Sequence, residues 1–200
     1  MILACVLSGL SYLLGSISTA IVTSRILGLP DPRKAGSGNP GATNVLRIGG
    51  KKAAIITLTG DVLKGFLPVV VAKSLNAPPW IIALVAFAAL LGHVFPVFFR
   101  FRGGKGVATA FGALTAVNPL VGGGLLGIWI FVALLFRYSS LAALTAAVAA
   151  PFLMLVTIPA NKWLFFLSTG AMSLLLLWRH RSNIQNLLAG RETKIGAKAD

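Results

Sequence analysis

Long apolar stretches separated by short polar segments dominate the chain. An apolar helix needs about 20 residues to cross the hydrocarbon core of a bilayer, so stretches of this length predict membrane spans. Five of them are long enough without interruption, and they cover Ile2–Ser24, Ala53–Leu75, Pro79–Phe99, Ser139–Ile158 and Lys162–Trp178. The predicted fold class is therefore all-α, a polytopic transmembrane helical bundle.

A further apolar stretch, Val107–Phe136, is too long for one straight span and contains Asn118-Pro119. Proline breaks a helix, and the residue before it avoids helical dihedral angles. We therefore expect a short helix, Val107–Val117, followed by a full span, Pro119–Phe136. The short helix is about 16 Å long, so its ends must be shielded by protein or by a thinned bilayer. The sequence thus predicts seven transmembrane segments.

Composition and charge support a membrane protein and orient it. Hydrophobic residues make up 56% of the chain and charged residues only 11%, against about 25% charged residues in soluble domains. With the amino terminus outside and the carboxyl terminus in the cytoplasm, nearly all of the 18 Lys and Arg residues fall on the inner side, which the positive-inside rule favours. These cations flank apolar segments, so nucleic acid is not an expected partner. The length fits a single integral membrane domain, residues 1–200.

The first of three polar motifs is Ser37-Gly38-Asn39-Pro40-Gly41-Ala42-Thr43-Asn44, with Arg47 one turn later. Asn-Pro-Gly favours a tight turn, and Asn39 can cap a short helix that begins at Pro40 and ends at Gly49. The free N–H groups of such a helix, together with a nearby arginine, suit an anion. An ordinary Gly-rich loop before a span is the competing interpretation.

The second motif, Arg100-Phe101-Arg102-Gly103-Gly104-Lys105-Gly106, directly precedes the short helix. Glycines let a backbone approach a phosphate closely, and successive N–H groups can form an anion-binding nest. The positive end of the helix dipole points at the same place, and Lys105 adds a mobile full charge. The motif is not a Walker A loop, because Gly106 takes the position of the required Ser or Thr. A Gly-rich basic membrane anchor is the alternative.

The third motif lies in the basic tail after the last span and runs from Arg179 to Glu192. Apolar residues recur there at helical spacing, which places His180 and Asn183 on a neighbouring face. His180 can act as a base, as a phosphate ligand or as a lone interfacial histidine, and a solvated amphipathic tail is the competing interpretation. The predicted topology puts all three motifs on the same side of the membrane.

Two further polar features lie within predicted spans. Asp61 and Lys64 are three residues apart on one helix face, and charges at this depth normally face the interior of a bundle. We interpret them as a structural ion pair, with an extension of the site as the alternative. His93 precedes Pro96, which should kink the span, and we interpret it as a packing residue, with a catalytic histidine as the alternative. With two His, one Cys and four acidic residues in the chain, we expect no metal site.

Together these motifs closely resemble the acyl-phosphate-dependent glycerol-3-phosphate acyltransferases of bacteria, the PlsY family. The likeness covers nearly the whole chain and rests on Ser37–Asn44 with Arg47, Asp61–Gly65, Gly92–Gly106 and His180–Glu192. It implies an enzyme that moves a fatty acyl group from acyl phosphate to the 1-hydroxyl of glycerol 3-phosphate, giving lysophosphatidate and phosphate. This is the first step of bacterial phospholipid synthesis, at the cytoplasmic face of the inner membrane. Neither acyl-CoA nor acyl carrier protein is implied as the direct donor.

The resemblance also implies roles for individual residues. It assigns acyl phosphate or the catalytic centre to the first motif, the phosphate of glycerol 3-phosphate to the second, and completion of the site to the third. The catalytic candidates are Ser37, Arg47, Lys105, His180 and Asn183. The substrate-binding candidates are Gly38, Asn39, Gly41, Thr43, Asn44, Gly103, Gly104, Gly106 and Glu192. The expected partners are acyl phosphate, glycerol 3-phosphate and the lipid bilayer, with no cofactor, metal or obligate protein partner.

Two questions stay open at the level of sequence. The proton of the acceptor hydroxyl can leave to His180 or to a substrate phosphate, whose second pKa of about 6 suits the task. A membrane transporter of organic phosphate anions is the strongest rival function, because broken helices also point at anions in transporters. It is disfavoured because the chain shows no inverted repeat and its polar groups gather on one face. A purely structural scaffold has no need of a Gly-Lys-Gly turn.

Overall fold

The computed structural model describes residues 1–196, and over that range it contains helices, turns and loops but no strand. The all-α class predicted from the sequence is therefore confirmed for the described residues. A 3-10 turn covers Val97–Phe99. The α-helices are α1 (Ile2–Gly15), α2 (Thr19–Ile26), α3 (Ala42–Ser74), α4 (Pro79–Val94), α5 (Val107–Val117), α6 (Pro119–Phe136), α7 (Ser139–Thr157), α8 (Lys162–Arg179) and α9 (Arg181–Leu188).

Length and composition qualify part of these helices as membrane spans. Within the described residues they are α3, α6, α7 and the segment Pro79–Phe99, which joins α4 to the 3-10 turn. Helices α1 and α2 qualify together as one further span, although the chain bends by 41° between them. Helix α5 has only 11 residues, and α8 begins with Lys162 and ends with Arg179, which lower its mean hydropathy. The count of seven spans and the orientation of the termini stay predictions.

The first predicted span, Ile2–Ser24, is a broken helix. Two charged side chains of α3 contact the residues at the break. Lys64 Nζ donates a hydrogen bond to Ile17 O at 2.8 Å, and the Thr19 hydroxyl donates to the Asp61 carboxylate. The Lys64 and Asp61 side chains are themselves 2.8 Å apart and almost fully buried. The pair satisfies polar groups that the broken helix leaves inside the bundle, as expected for a structural ion pair.

Helix α3 is longer than predicted because it absorbs the expected short interfacial helix. The sequence predicted that Asn39 caps a separate helix ending at Gly49. In the structure the helix begins at Ala42 with Gly41 as its N-cap, and the kink falls at Gly50, whose φ of 75° favours glycine. The predicted cap was wrong because the Asn-Pro-Gly turn is completed first, with Gly41 N donating to Asn39 O at 2.9 Å.

The short helix α5 is held and shielded by protein at its C-terminal end. Lys73 Nζ, from the end of α3, donates to Ala116 O at 2.9 Å and to Val117 O at 3.2 Å. These carbonyls have no partner within the helix, so the lysine satisfies them. Asn118 then caps α6, its side chain accepting a hydrogen bond from Leu120 N at 2.9 Å. The predicted split of this apolar stretch is confirmed.

Helices α3 and α5 cross at backbone contact, because glycines face the partner backbone there. A Cβ atom on Gly65 would collide with the carbonyl of Thr109, and one on Gly112 with the carbonyl of Val62. Small residues allow membrane helices to approach this closely. The crossing fixes where α5 begins, and with it the Gly-Lys-Gly turn that leads into the helix.

Candidate active site

A cavity of about 820 Å³ lies where the three polar motifs converge. The predicted site residues that line it are Ser37, Asn39, Gly41, Thr43, Asn44, Arg47, Lys105, Gly106, His180, Asn183 and Glu192. Gly38, Gly103 and Gly104 belong to the same motifs but do not line the cavity. Beyond this polar end the cavity continues as an apolar space between α3, α5, α6, α7 and α8. Segments far apart in sequence thus surround one space.

A chain of hydrogen bonds joins the second motif to the third. Lys105 Nζ donates to Asn183 Oδ1 at 2.5 Å, and Asn183 Nδ2 donates to Glu192 Oε1 at 2.8 Å. Ser140, at the start of α7, donates to the same Glu192 oxygen at 2.7 Å. An ammonium only donates and a carboxylate only accepts, so a single orientation of the Asn183 amide satisfies both neighbours. The tail of the chain therefore fixes the direction in which Lys105 points.

The surroundings of Lys105 favour the binding of an anion. Burial lowers the pKa of its ammonium, the Glu192 carboxylate raises it, and the charges of Arg179 and Arg47 lower it again, with a net downward shift. A partly desolvated ammonium beside other cations is destabilised until a negative group pairs with it. Charge-assisted hydrogen bonds to phosphate are about twice as strong as neutral ones. The arrangement can therefore bind a phosphate.

His180 sits at the junction of α8 and α9 with one ring nitrogen already engaged. Its Nδ1 lies 2.8 Å from Leu176 O, and because a carbonyl only accepts, Nδ1 carries the hydrogen and Nε2 keeps its lone pair. Burial lowers the pKa of His180 to about 4, against the opposing effect of the Leu176 hydrogen bond. The ring is therefore neutral at about pH 7 and is a weak proton acceptor.

In the first motif, Asn44 shapes the loop and Arg47 presents a charge. Asn44 is buried; its Oδ1 accepts from Ser37 N at 2.8 Å, and its Nδ2 donates to Pro32 O at 2.8 Å and to Ala35 O at 3.0 Å. This bonding holds the loop that carries Ser37 at the cavity wall. Arg47 lines the cavity, and the ion pairs found within residues 1–196 do not include it. Its guanidinium is available to an anion.

Gly103 and Gly104 lie behind the cavity wall, packed against other parts of the chain. Gly104 N donates to His93 O at 3.2 Å. Arg179 donates to both carbonyls, from Nη2 to Gly103 O at 2.9 Å and from Nε to Gly104 O at 3.2 Å. A Cβ on Gly104 would meet the His93 ring and Pro40 O. These contacts explain why side chains are absent here, and the role of the two glycines in a phosphate cradle stays a prediction.

Sequence reasoning missed polar residues that complete the cavity wall. Ser139 lies 3.4 Å from the Thr43 hydroxyl, and Ser140 binds the tail carboxylate as described above. A signal was present, because this Ser-Ser pair follows a predicted cytoplasmic loop on the same side as the motifs. Asp61 and His93, interpreted as structural, also reach the cavity, with 3.6 Å between His93 Nδ1 and Asp61 Oδ1.

Comparisons with other sequences agree on one family. A family model described as glycerol-3-phosphate acyltransferase matches residues 5–190. A glycerol-3-phosphate acyltransferase of Methylococcus capsulatus (strain Bath) is 54% identical over 188 residues, which cover 94% of each chain. One from Burkholderia cenocepacia (strain HI2424) is 55% identical over 190 residues, which cover 94% of this chain and 89% of its own.

Solved structures extend the agreement to the fold. The crystal structure of PlsY (YgiH), an integral membrane glycerol 3-phosphate acyltransferase, in its glycerol 3-phosphate form is 42% identical, with a TM-score of 0.90 over 96% of both chains. The lysophosphatidic acid form of PlsY gives a TM-score of 0.87 at 41% identity, over 96% of this chain and 95% of that one. The chain therefore belongs to the glycerol-3-phosphate acyltransferase family and has the fold of its integral membrane member PlsY.

Proposed function

We propose that the protein transfers a fatty acyl group from acyl phosphate to the 1-hydroxyl of glycerol 3-phosphate, releasing lysophosphatidate and inorganic phosphate. Membership of the family indicates an acyltransferase of phospholipid synthesis. The identity of the donor, the acceptor position and the products is what we propose. The observation that carries it is the cavity, which joins a cationic polar end to an apolar space. A donor with a phosphate head and a single fatty chain matches both ends.

The polar end offers two cations for two phosphate-bearing substrates. Arg47 and Lys105 both line it, and they come from different motifs, so each can bind one phosphate. A guanidinium binds phosphate with two parallel hydrogen bonds, and a lysine binds it as a mobile point charge. We assign the acyl phosphate to the first motif with Ser37 and Asn39, and glycerol 3-phosphate to Lys105 and the adjoining turn.

The apolar part of the cavity suits a fatty chain that arrives from the bilayer. Its wall is made by side chains such as Phe111 of α5 and Ala146 of α7. Leu58 of α3 and Leu126 of α6 line the cavity and are 49% and 45% exposed, and we propose that the fatty chain enters sideways between these helices. Burial of each methylene contributes about 0.8 kcal/mol, which favours a long chain in this space.

The reaction needs little more than positioning and charge stabilisation. The acceptor oxygen attacks the acyl carbonyl carbon, the bond from that carbon to the phosphate oxygen breaks, and the hydroxyl proton passes to a phosphate oxygen. Phosphate is a good leaving group, so holding the reactants together and neutralising the developing charge supply much of the rate. We propose a substrate phosphate as the base, because the pKa of His180 is lowered to about 4, below the phosphate value of about 6.

Replacing His180 with Gln tests this assignment of the base. We expect turnover at saturating substrate to fall by less than about 10-fold, since glutamine can still hydrogen-bond and the phosphate still accepts the proton. In both proteins kcat/KM should fall as the pH drops through about 6, where the phosphate becomes protonated. A loss of about 10²-fold or more in turnover, or a decline that begins only near the lower pKa of His180, would assign the base to the histidine.

Filling the apolar cavity should change the acyl chain that the enzyme accepts. Ala146 lines the cavity and is buried, so Ala146→Phe should exclude a few terminal methylenes and raise the KM for palmitoyl phosphate by about 10-fold or more. Shorter acyl phosphates should be affected less. Val148→Phe is the matched control, because Val148 is 51% exposed on the same helix. Equal KM changes for short and long donors would contradict this location of the chain.

We further propose a single domain, residues 1–200, that crosses the bacterial inner membrane seven times with its amino terminus outside and its site facing the cytoplasm. Cysteine labelling of intact cells tests the orientation in a Cys5→Ser background. A cysteine at Asn76 should react with a membrane-impermeant reagent, and one at exposed Gln185 of α9 should react only after permeabilisation. The reverse pattern would overturn the orientation.

A direct comparison of donors tests the proposed reaction. Purified protein in detergent is given glycerol 3-phosphate with either palmitoyl phosphate or palmitoyl-CoA, and lysophosphatidate is measured. We expect product from the acyl phosphate alone. Product from the thioester alone would retain the family activity but refute the proposed donor.

A further inference from the structure

We propose that Arg179 is a positioning residue that clamps the Gly103–Lys105 turn to the α8–α9 junction and so aims Lys105 into the cavity. The inference rests on the proposed function, in which Lys105 binds a substrate phosphate. From sequence alone Arg179 is one cation among several in a basic tail. Its contacts in the structure give it a more specific task.

The clamp consists of one guanidinium and two successive backbone carbonyls. Arg179 Nη2 donates to Gly103 O at 2.9 Å, and Nε donates to Gly104 O at 3.2 Å. The guanidinium also lies over the Trp178 ring, 5.6 Å from its centroid, and this cation–π contact helps to hold the guanidinium in place. A planar fork with fixed donor directions can hold two carbonyls at once, whereas a lysine ammonium presents a single point.

The clamped carbonyls belong to the residues directly before Lys105, so their position sets where its side chain starts. The far end of that side chain is bound to Asn183, one turn beyond Arg179 in the chain, at 2.5 Å. The α8–α9 junction therefore holds the turn at its backbone and the lysine at its tip. Gly104 N also donates to His93 O, which ties the turn to the end of α4 as well.

Arg179 does not act on substrate itself, because it is not among the residues that line the cavity. It also differs from a simple interfacial anchor. Arg181, two residues later, lies over the same Trp178 ring at 5.0 Å, and within residues 1–196 it donates only to Trp178 O, at 3.4 Å. Arg181 is exposed and does not bind the turn, so it shares the charge and the aromatic contact of Arg179 but lacks the clamp.

Steady-state kinetics of Arg179→Gln, Arg179→Lys and the matched control Arg181→Gln test the proposal. We expect kcat/KM for glycerol 3-phosphate to fall by about 10-fold or more in Arg179→Gln, the loss that two charge-assisted hydrogen bonds suggest. Arg179→Lys should recover less than half of that loss on a logarithmic scale, because it restores the charge without the fork. Arg181→Gln should stay within about 2-fold of the parent. Full recovery by lysine, or an equal loss in Arg181→Gln, would overturn the clamp.

A double-mutant cycle with Lys105→Ala separates positioning from a general loss of structure. If Arg179 acts through Lys105, adding Arg179→Gln to Lys105→Ala should change kcat/KM by less than about 2-fold. Losses that multiply would show that Arg179 acts independently of the lysine, and would refute the inference. Normal activity of Arg179→Gln beside a large loss in Lys105→Ala would refute the clamp and leave the proposed site intact. Normal activity of Lys105→Ala would refute both.

Discussion

Replacing Lys105 with Ala is expected to lower kcat/KM for glycerol 3-phosphate by about 10²- to 10³-fold. The ammonium is partly desolvated and points at the polar end of the cavity, with its Nζ 2.5 Å from Asn183 Oδ1. The substitution therefore removes a preorganised charge from the site. Both the bound phosphate and the negative charge that develops on the acyl group would then lack it. Initial rates over a range of glycerol 3-phosphate concentrations give the value.

The control for this variant is Arg102→Ala. Arg102 lies in the same motif but is exposed and outside the cavity lining, so its removal takes the same unit of charge from the same loop. We expect kcat/KM to change by less than about 3-fold, because an exposed cation contributes little. Similar losses in the two variants would mean that the general positive charge of this face matters, and not a lysine placed in a site.

Replacing Asp61 with Leu is expected to lower the free energy of unfolding by about 3–5 kcal/mol. The substitution leaves the Lys64 ammonium, which is almost fully buried, with only the Ile17 carbonyl as a described partner. It also removes one of the two acceptors of the Thr19 hydroxyl at the break between α1 and α2 and leaves only Thr57 O, at 3.3 Å. Chemical or thermal unfolding in a fixed detergent measures the change.

The double variant Asp61→Leu/Lys64→Met is the control for this prediction. Without the lysine no charge is left unpaired, and replacing a buried ion pair by apolar residues is often neutral, so a large part of the lost stability should return. If the double variant is as unstable as the single one, the pair does not act as a unit. The stability of the break would then depend on Asp61 alone.

Much of the architecture could be predicted because its causes are local. The split at Asn118-Pro119 follows from the chemistry of two neighbouring residues, and the length of each apolar stretch can be counted directly in the sequence. The convergence of the three motifs followed from topology, since cations flanking alternate spans fall on one side. The helix start at Ala42 was misplaced because a turn and a cap compete for the same Asn-Pro-Gly residues, and only the packed loop decides between them.

The contacts that complete the site could not be predicted, because they join residues far apart in the chain. Ser140 meets Glu192 across 52 positions and Arg179 meets Gly104 across 75, and no periodicity or spacing encodes such pairs. The glycines indicated a turn at Gly104, but not why residue 104 has no side chain, which is that a Cβ atom there would collide with the His93 ring. The pKa of His180 likewise depends on burial that only the folded chain creates.

The proposal that one cavity brings acyl phosphate and glycerol 3-phosphate together is tested most directly by the stoichiometry of phosphate release. Purified protein in detergent is incubated with palmitoyl phosphate, with and without glycerol 3-phosphate, and both phosphate and lysophosphatidate are measured. We predict that the two products appear in equal amounts and only when the acceptor is present. Release of phosphate that is independent of glycerol 3-phosphate, or no release at all, would contradict the account.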